Sequence, residues 1–295
     1  MSIALIYSKK EWYNRFVVKN TKANKGGNFI DKKFLTPGEI AKATINAGIK
    51  KANLSMKSCI ILGILAGFFI GLGGLANIII SQSIGAFDAG LAKFLGAMVF
   101  PVGLMLVVIC GAELFTGNNL MSLAVMDKKI TIGKMFRNWG LVWCANFIGS
   151  LALVFLIYYS NSLSGDAAAK AIAIGEAKVS LPFMDAFLRG ILCNIVVVLA
   201  VWFATAAQDI ISKIFSCWFP IMLFVLCGFE HSVANMFFIP MGMILGGNIE
   251  MQNLIVSILV VTVGNIVGGA LIVPFMYYHC YIKDDNNKSV SNATK

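Results

Sequence analysis

Six apolar segments, each about as long as a membrane is thick, dominate the sequence. A helix needs about 20 apolar residues to cross the hydrocarbon core of a bilayer. Only 13% of the 295 residues are charged, whereas soluble domains carry about 25%. The chain is therefore predicted to be an all-α membrane protein. Its six spans are predicted at residues 58–80, 91–126, 140–159, 186–207, 214–245 and 254–278.

The positive charge of the chain is unevenly distributed. The net charge is +10, which would also suit a protein that binds nucleic acid. Most Lys and Arg residues, however, lie in residues 1–57 or 128–137, without a basic stripe interleaved with aromatic residues. Membrane proteins hold such basic segments on the cytoplasmic side. We predict that both termini are cytoplasmic and that no nucleic acid is bound.

Two short motifs recur at nearly the same spacing. Cys-Gly-x-Glu occurs at residues 110–113 and again 117 residues later, and Asn-x-x-Gly occurs at residues 146–149 and again 119 residues later. These repeats predict two related halves of three spans each. Three is an odd number, so the second half must be inverted in the membrane. The predicted organisation is a basic arm at 1–35, a six-span domain at 36–282 with repeats at about 36–160 and 183–282, and a polar tail at 283–295.

Spans two and five are too long for one crossing, and both are predicted to be broken. Gly111 and Gly228 lower the cost of leaving the helix there. The polar residues that follow must face protein or a water-lined cavity. We interpret Glu113 and Glu230 as structural, each holding free backbone N–H groups at its break. A pair of carboxylates with a chemical role is the alternative.

Several polar or aromatic side chains near the breaks are candidates for function. His231 titrates near neutral pH and can share a proton with a passing weak acid, whose neutral form enters apolar surroundings more cheaply than an ion. Lys178 is either a solvated loop lysine or a residue that draws anions towards a vestibule. Asn194 either bonds a neighbouring helix or donates to a substrate. Phe100 and Phe224 are either core residues or constrictions.

At these residues the chain resembles the formate/nitrite transporter family. The resemblance rests on Glu113-Leu-Phe-Thr-Gly117 and on Gly-Phe-Glu-His-Ser-x-Ala-Asn-Met at 228–236, and it covers residues 34 to 281. It implies an aquaporin-like protomer, assembled as a homopentamer, with one pore in each protomer. It also implies transport of formate, nitrite or hydrosulfide, or of lactate or acetate in some members, rather than enzymatic activity.

The resemblance also implies roles for individual residues. His231 would be the central pore histidine, Lys178 the vestibule lysine, and Phe100 and Phe224 the outer constriction. The remaining implied residues line the pore or its cytoplasmic constriction; they are Thr116, Asn194 and Phe115 for the pore, and Leu104, Leu114 and Val197 for the constriction. The expected partners are a small anion, protons, the lipid bilayer and further copies of the chain.

Three other functions were weighed. A water or glycerol channel of this plan uses Asn-Pro-Ala boxes, and none occurs in the sequence. A membrane redox protein needs axial histidines for haem, whereas the sequence has only His231 and the distant His279. A scaffold without transport does not account for polar groups at the breaks. Seven scattered cysteines without a C-x-x-C pair also argue against zinc or a disulfide framework. We expect no metal and no cofactor.

Overall fold

The computed structural model describes residues 34–283, in which the regular elements are helices. Six of these helical segments are long and apolar enough to cross a membrane, as predicted. The predicted arm and tail lie almost wholly outside the described residues. The α-helices are α1 (Pro37–Ala52), α2 (Met56–Ser81), α3 (Ala89–Val99), α4 (Val102–Cys110), α5 (Phe115–Asn118), α6 (Ser122–Met126), α7 (Ile132–Tyr159), α8 (Gly165–Val179), α9 (Phe183–Ala206), α10 (Ile210–Cys227), α11 (Ser232–Ile244), α12 (Met251–Ile266) and α13 (Val273–Tyr278).

Helix α1 is a short amphipathic helix ahead of the first span. It begins at a capping box, in which the Thr36 N–H donates to the Glu39 carboxylate at 2.8 Å, and Pro37 occupies the first helical position. Its apolar face, with Ile40 and Ile45 buried, packs against α6. The helix ends beside Lys51, which it carries towards the first break.

Helix α8 is the counterpart of α1 in the second half, and the sequence reasoning missed it. We expected a loop here, with Lys178 in it. The structure instead has a 15-residue helix, too short to span a membrane, and Lys178 lies in its last turn. An Ala-rich segment such as residues 167–173 favours helix in its own right. The second half therefore begins with its own short helix, as the first half does.

Spans two and five are broken where predicted. Helix α4 ends at Cys110 and helix α10 ends at Cys227, and the next residues, Gly111 and Gly228, have φ values of 81° and 71°. A side chain is strained in this left-handed conformation, so glycine allows each helix to end abruptly. Helical structure resumes at Phe115 and Ser232 after a short extended segment.

Glycines allow the unbroken spans to pack with their backbones in contact. Where α2 crosses α7, a Cβ atom on Gly67 would overlap the Asn146 backbone, and one on Gly149 would overlap the Ile64 backbone. Helices α9 and α12 cross in the same way at Gly264, whose Cβ would overlap the Phe187 carbonyl. Small residues at helix crossings are typical of membrane bundles. The paired spans hold the broken helices between them.

Replacing Gly149 with Ala is expected to destabilise the protein by about 1–3 kcal/mol, because the backbones of α2 and α7 must move apart. Gly140→Ala on the same helix is the control, since a Cβ there meets open space and alanine favours helix. Thermal unfolding of the purified protein in detergent measures both. Equal melting temperatures for the two variants would contradict this account of the crossing.

Candidate functional site

The first break is held by the side chain of Asn146, which lies on α7. Its amide nitrogen donates to the carbonyl oxygens of Gly63, at 2.8 Å, and Glu113, at 2.9 Å. Its amide oxygen accepts the N–H of Phe115, the first residue of α5, at 2.9 Å. Asn146 is fully buried. One side chain therefore supplies partners to two backbone groups of the broken helix and ties the break to Gly63 on the unbroken helix α2.

The second break is held by the same arrangement around Asn265, which lies on α12. Its amide nitrogen donates to the carbonyl oxygens of Gly190, at 2.8 Å, and Glu230, at 2.9 Å. Its amide oxygen accepts the N–H of Ser232 at 2.9 Å. The two asparagine clamps thus match in partners and in geometry. The Asn-x-x-Gly repeat marked both asparagines in the sequence, but it gave no indication of what they bond.

The two carboxylates at the breaks have different partners from those we expected. Glu113 accepts from Lys51 at 2.6 Å and from Asn118 at 2.7 Å. Glu230 accepts from Lys178 at 2.6 Å and from Asn235 at 2.8 Å. Side chains, rather than free backbone N–H groups, satisfy these carboxylates, because the asparagine clamps already serve the backbone. Each carboxylate is buried and is neutralised by a lysine from its own half of the chain.

His231 is the N-terminal cap of α11 as well as a polar group at the centre of the site. Its Nδ1 atom accepts the Ala234 N–H at 3.1 Å. An atom that accepts an N–H carries no proton, so the neutral ring bears its proton on Nε2. Nε2 lies 2.9 Å from the Thr116 hydroxyl oxygen and donates to it. The hydroxyl hydrogen of Thr116 is then free to donate to a third group.

The contact between Thr116 and His231 joins the two breaks. Thr116 is completely buried and His231 is 3% exposed, so the bond lies deep in the protein. The imidazole ring stacks on Phe224 at a centroid distance of 5.8 Å. Phe224 in turn meets Phe100 edge-on at 5.8 Å. A polar pair is therefore flanked by two aromatic rings that stand close together.

Two cavities approach this pair from opposite sides of the bundle. One, the Lys178 cavity, has a volume of about 570 Å³ and ends at Phe100, Phe224 and His231. The other, the Lys51 cavity, has a volume of about 290 Å³ and ends at Leu104 and Leu114. Three spans separate the two lysines along the chain, so the cavities face opposite sides. Apolar side chains thus narrow the path on both sides of the buried polar pair.

Four of the expected pore and constriction residues, Thr116 among them, are outside the linings of both cavities. Phe115 packs edge-on against Trp139 at a centroid distance of 6.1 Å, and Val197 is buried. Asn194 commits its amide nitrogen to protein acceptors, among them the Asn119 side chain at 2.8 Å and the Asn265 carbonyl at 2.7 Å. Asn194 therefore bonds neighbouring helices, which was one of the two interpretations of this residue.

Lys51 is the residue of this site that the sequence reasoning did not single out. It lines its cavity and pairs with Glu113 just as Lys178 pairs with Glu230. A further bond supports each lysine, since Asn138 donates to the Lys51 carbonyl and Ser257 donates to the Lys178 carbonyl, both at 3.2 Å. The two lysines are equivalent because α8 carries Lys178 in the second half as α1 carries Lys51 in the first. Helix α8 was not predicted, so the sequence reasoning did not reveal this equivalence.

Comparison with known proteins gives consistent matches over nearly the whole described chain. A family model described as "Formate/nitrite transporter" matches residues 38–279. The probable formate transporter of Methanothermobacter thermautotrophicus is 41% identical over 270 residues, which cover 85% of this chain and 98% of that protein. A formate channel of Bacillus thuringiensis is 39% identical over 256 residues, which cover 86% of this chain and 98% of that protein.

A solved structure described as "Pentameric formate channel with formate bound" is also similar. It is 33% identical in sequence and superposes with a TM-score of 0.69, covering 77% of this chain and 98% of that chain. The similarity therefore extends to the arrangement of the helices. The sequence-based resemblance is confirmed by each of these comparisons.

Asn265→Ala is expected to destabilise the protein by about 2–4 kcal/mol, because one N–H and two carbonyl groups lose a buried partner. Asn253→Ala, on the exposed side of the same helix, is the matched control and should change stability by less than about 0.5 kcal/mol. The measurement is the melting temperature of each purified variant in detergent. A melting temperature for Asn265→Ala that equals the control would show that the clamp does not hold the break.

Proposed function

Because this chain belongs to the formate/nitrite transporter family, and is thus a multi-pass membrane transport protein rather than an enzyme, we propose that it conducts formate. Nitrite and hydrosulfide are the alternative substrates. Formate ranks first because similar proteins from an archaeon and a bacterium carry formate in their descriptions. All three anions are small, monovalent and able to take up a proton.

The observation that carries this proposal is the buried bond between Thr116 and His231. His231 lines the Lys178 cavity together with Phe100 and Phe224, so apolar side chains flank the bond. An unpaired ion is very costly in such surroundings, whereas a neutral acid avoids most of that cost. The imidazole ring of His231 can take up and release a proton, so it can convert the permeating anion into its neutral acid. The geometry supports passage of the protonated acid through the narrowest part of the path.

The proposed transfer is a proton exchange between His231 and the permeating anion. The imidazole takes up a proton from the medium as formate approaches, and the two opposite charges stabilise each other. The ring then gives a proton, through the Thr116 hydroxyl, to a carboxylate oxygen. Formate becomes formic acid, and the ring ends neutral with its remaining proton on Nδ1; a tautomer shift that moves this proton to Nε2 then restores the bond from the Ala234 N–H. On the far side the acid returns its proton to water.

The residues around this pair have supporting roles in the proposal. Phe100 and Phe224 on one side, and Leu104, Leu114 and Val197 on the other, exclude hydrated ions. Lys178 offers an ammonium group to anions at the mouth of its cavity. Phe115 and Asn194 do not line either cavity in this proposal. They support the site by holding the first break and the neighbouring helices in place.

Substituting His231 with Asn is expected to lower formate uptake at least tenfold and to remove its dependence on pH. Asparagine is a good helix cap, so this variant keeps the start of α11 but cannot exchange a proton. Uptake of labelled formate into proteoliposomes at two pH values measures the effect.

Thr116→Ser is the matched control for the proton path, because it keeps the hydroxyl group, and it should retain most of the flux. Thr116→Val should lose the flux as His231→Asn does. Unchanged uptake by His231→Asn at every pH would rule out the exchange step.

The proposed assembly is a homopentamer with both termini in the cytoplasm, so that the Lys178 cavity opens outside. The pentamer rests on the solved formate channel, and the orientation rests on the basic segments of the sequence. Native mass spectrometry should find five protomers. Alkaline phosphatase, which is active only outside the cytoplasm, should be inactive when fused after Lys283 and active when inserted between α8 and α9. The opposite pattern would reverse the orientation.

A further inference from the structure

The Lys178 cavity carries more positive charge than the Lys178–Glu230 ion pair accounts for. Three lysines line it, Lys93, Lys170 and Lys178, and its lining contains no carboxylate among the described residues. The charge of Lys178 is neutralised by Glu230 at 2.6 Å. Within residues 34–283, Lys93 and Lys170 have no carboxylate within ion-pair distance. Two lysines in the cavity lining are therefore without an ion-pair partner among residues 34–283.

The Lys51 cavity has no such excess. Lys51 and Glu113 are the charged residues that line it within the described chain, and they form an ion pair at 2.6 Å. Its lining is thus close to neutral. The two entrances to the buried histidine therefore differ in charge, although the ion pair at each of them is the same.

This difference does not arise from the internal repeat. Lys51 and Lys178 occupy equivalent positions in the two halves, as do Gly111 and Gly228. By the same spacings, the counterpart of Lys170 is Ala43 and the counterpart of Lys93 is Ile210. The repeated ion pairs belong to both halves, whereas the two extra charges belong to one face only.

Lys93 lies beside the second break, with its side chain exposed. Its ammonium nitrogen lies 3.8 Å from the point that a Cβ atom on Gly228 would occupy. Gly228 is three residues ahead of His231, at the break itself. The charge of Lys93 therefore lies in the cavity lining, beside the break that leads to His231. Lys170 adds a second charge from α8, which also carries Lys178.

We propose that Lys93 and Lys170 form an electrostatic funnel that concentrates small anions in the Lys178 cavity before they reach His231. The inference rests on the proposed function. It adds that these two lysines raise the local concentration of the anion that His231 receives. Dissolved salt screens such a field within about 10 Å at 0.1 M ionic strength. Salt on the Lys178 side should therefore slow transport, and salt on the Lys51 side should not.

The funnel is tested by comparing the effect of salt on the two sides of the membrane. Comparing the rates of flux in the two directions would not test it. A passive channel has equal permeability in both directions at low substrate concentration, because forward and reverse steps balance at equilibrium. Right-side-out and inside-out membrane vesicles, prepared from cells without another formate transporter, expose opposite cavities to the external medium. Initial uptake of labelled formate is measured while external ionic strength rises from about 10 to about 300 mM, with potassium gluconate replacing sucrose at constant osmolality.

For the natural chain, uptake into right-side-out vesicles should fall about fivefold across this range, and uptake into inside-out vesicles should change less than about 1.5-fold. Lys93→Gln combined with Lys170→Gln should remove the fivefold effect. Lys57→Gln is the control, since it removes one positive charge from an exposed residue outside both cavity linings, and it should behave like the natural chain.

The funnel would be overturned by a double variant that keeps the fivefold effect, or by equal salt dependence in both kinds of vesicle. Salt dependence confined to inside-out vesicles, and lost in the double variant, would support the funnel and reverse the proposed orientation. Absence of formate uptake by the natural chain would overturn the proposed substrate instead. The same salt series with nitrite would then test the funnel separately.

Discussion

A helix that ends inside a bilayer leaves backbone N–H and carbonyl groups that neither lipid nor water can satisfy. Asn146 and Asn265 resolve this constraint, each with one side chain that bonds two carbonyls and one N–H group. The rest of the site depends on these clamps. They free the carboxylates at the breaks to pair with lysines, and they hold the start of α11 so that His231 meets Thr116.

The large features of the fold could be predicted from the sequence because they depend on local composition. Apolar length gives the spans, and glycine followed by polar residues gives the two breaks. The lysine partners of Glu113 and Glu230 could not be predicted, because they depend on contacts between residues more than 50 positions apart. Helix α8 was missed because a short Ala-rich helix has no membrane-length signal, and Lys51 was missed with it.

The site illustrates how a two-fold plan can carry a function that is not two-fold. Each half supplies a clamp, a left-handed glycine and a lysine–carboxylate pair, and these features are matched in distance. They build the frame and neutralise its buried charge. The features that would distinguish one direction from the other are unmatched: the histidine, the threonine hydroxyl and the two additional lysines. The features that stabilise the fold are thus present in both halves. The features that carry the proposed chemistry are each present in only one half.

The bond between Thr116 and His231 has a consequence for the origin of the fold. The residue equivalent to His231 in the first half is Leu114, and the residue equivalent to Thr116 in the second half is Val233. Two identical halves related by a two-fold axis would carry the same residue at both positions. A single imidazole bonded to a single hydroxyl therefore requires two halves that differ in sequence, which duplication followed by divergence within one chain provides. A dimer of identical three-span chains could not have contained it.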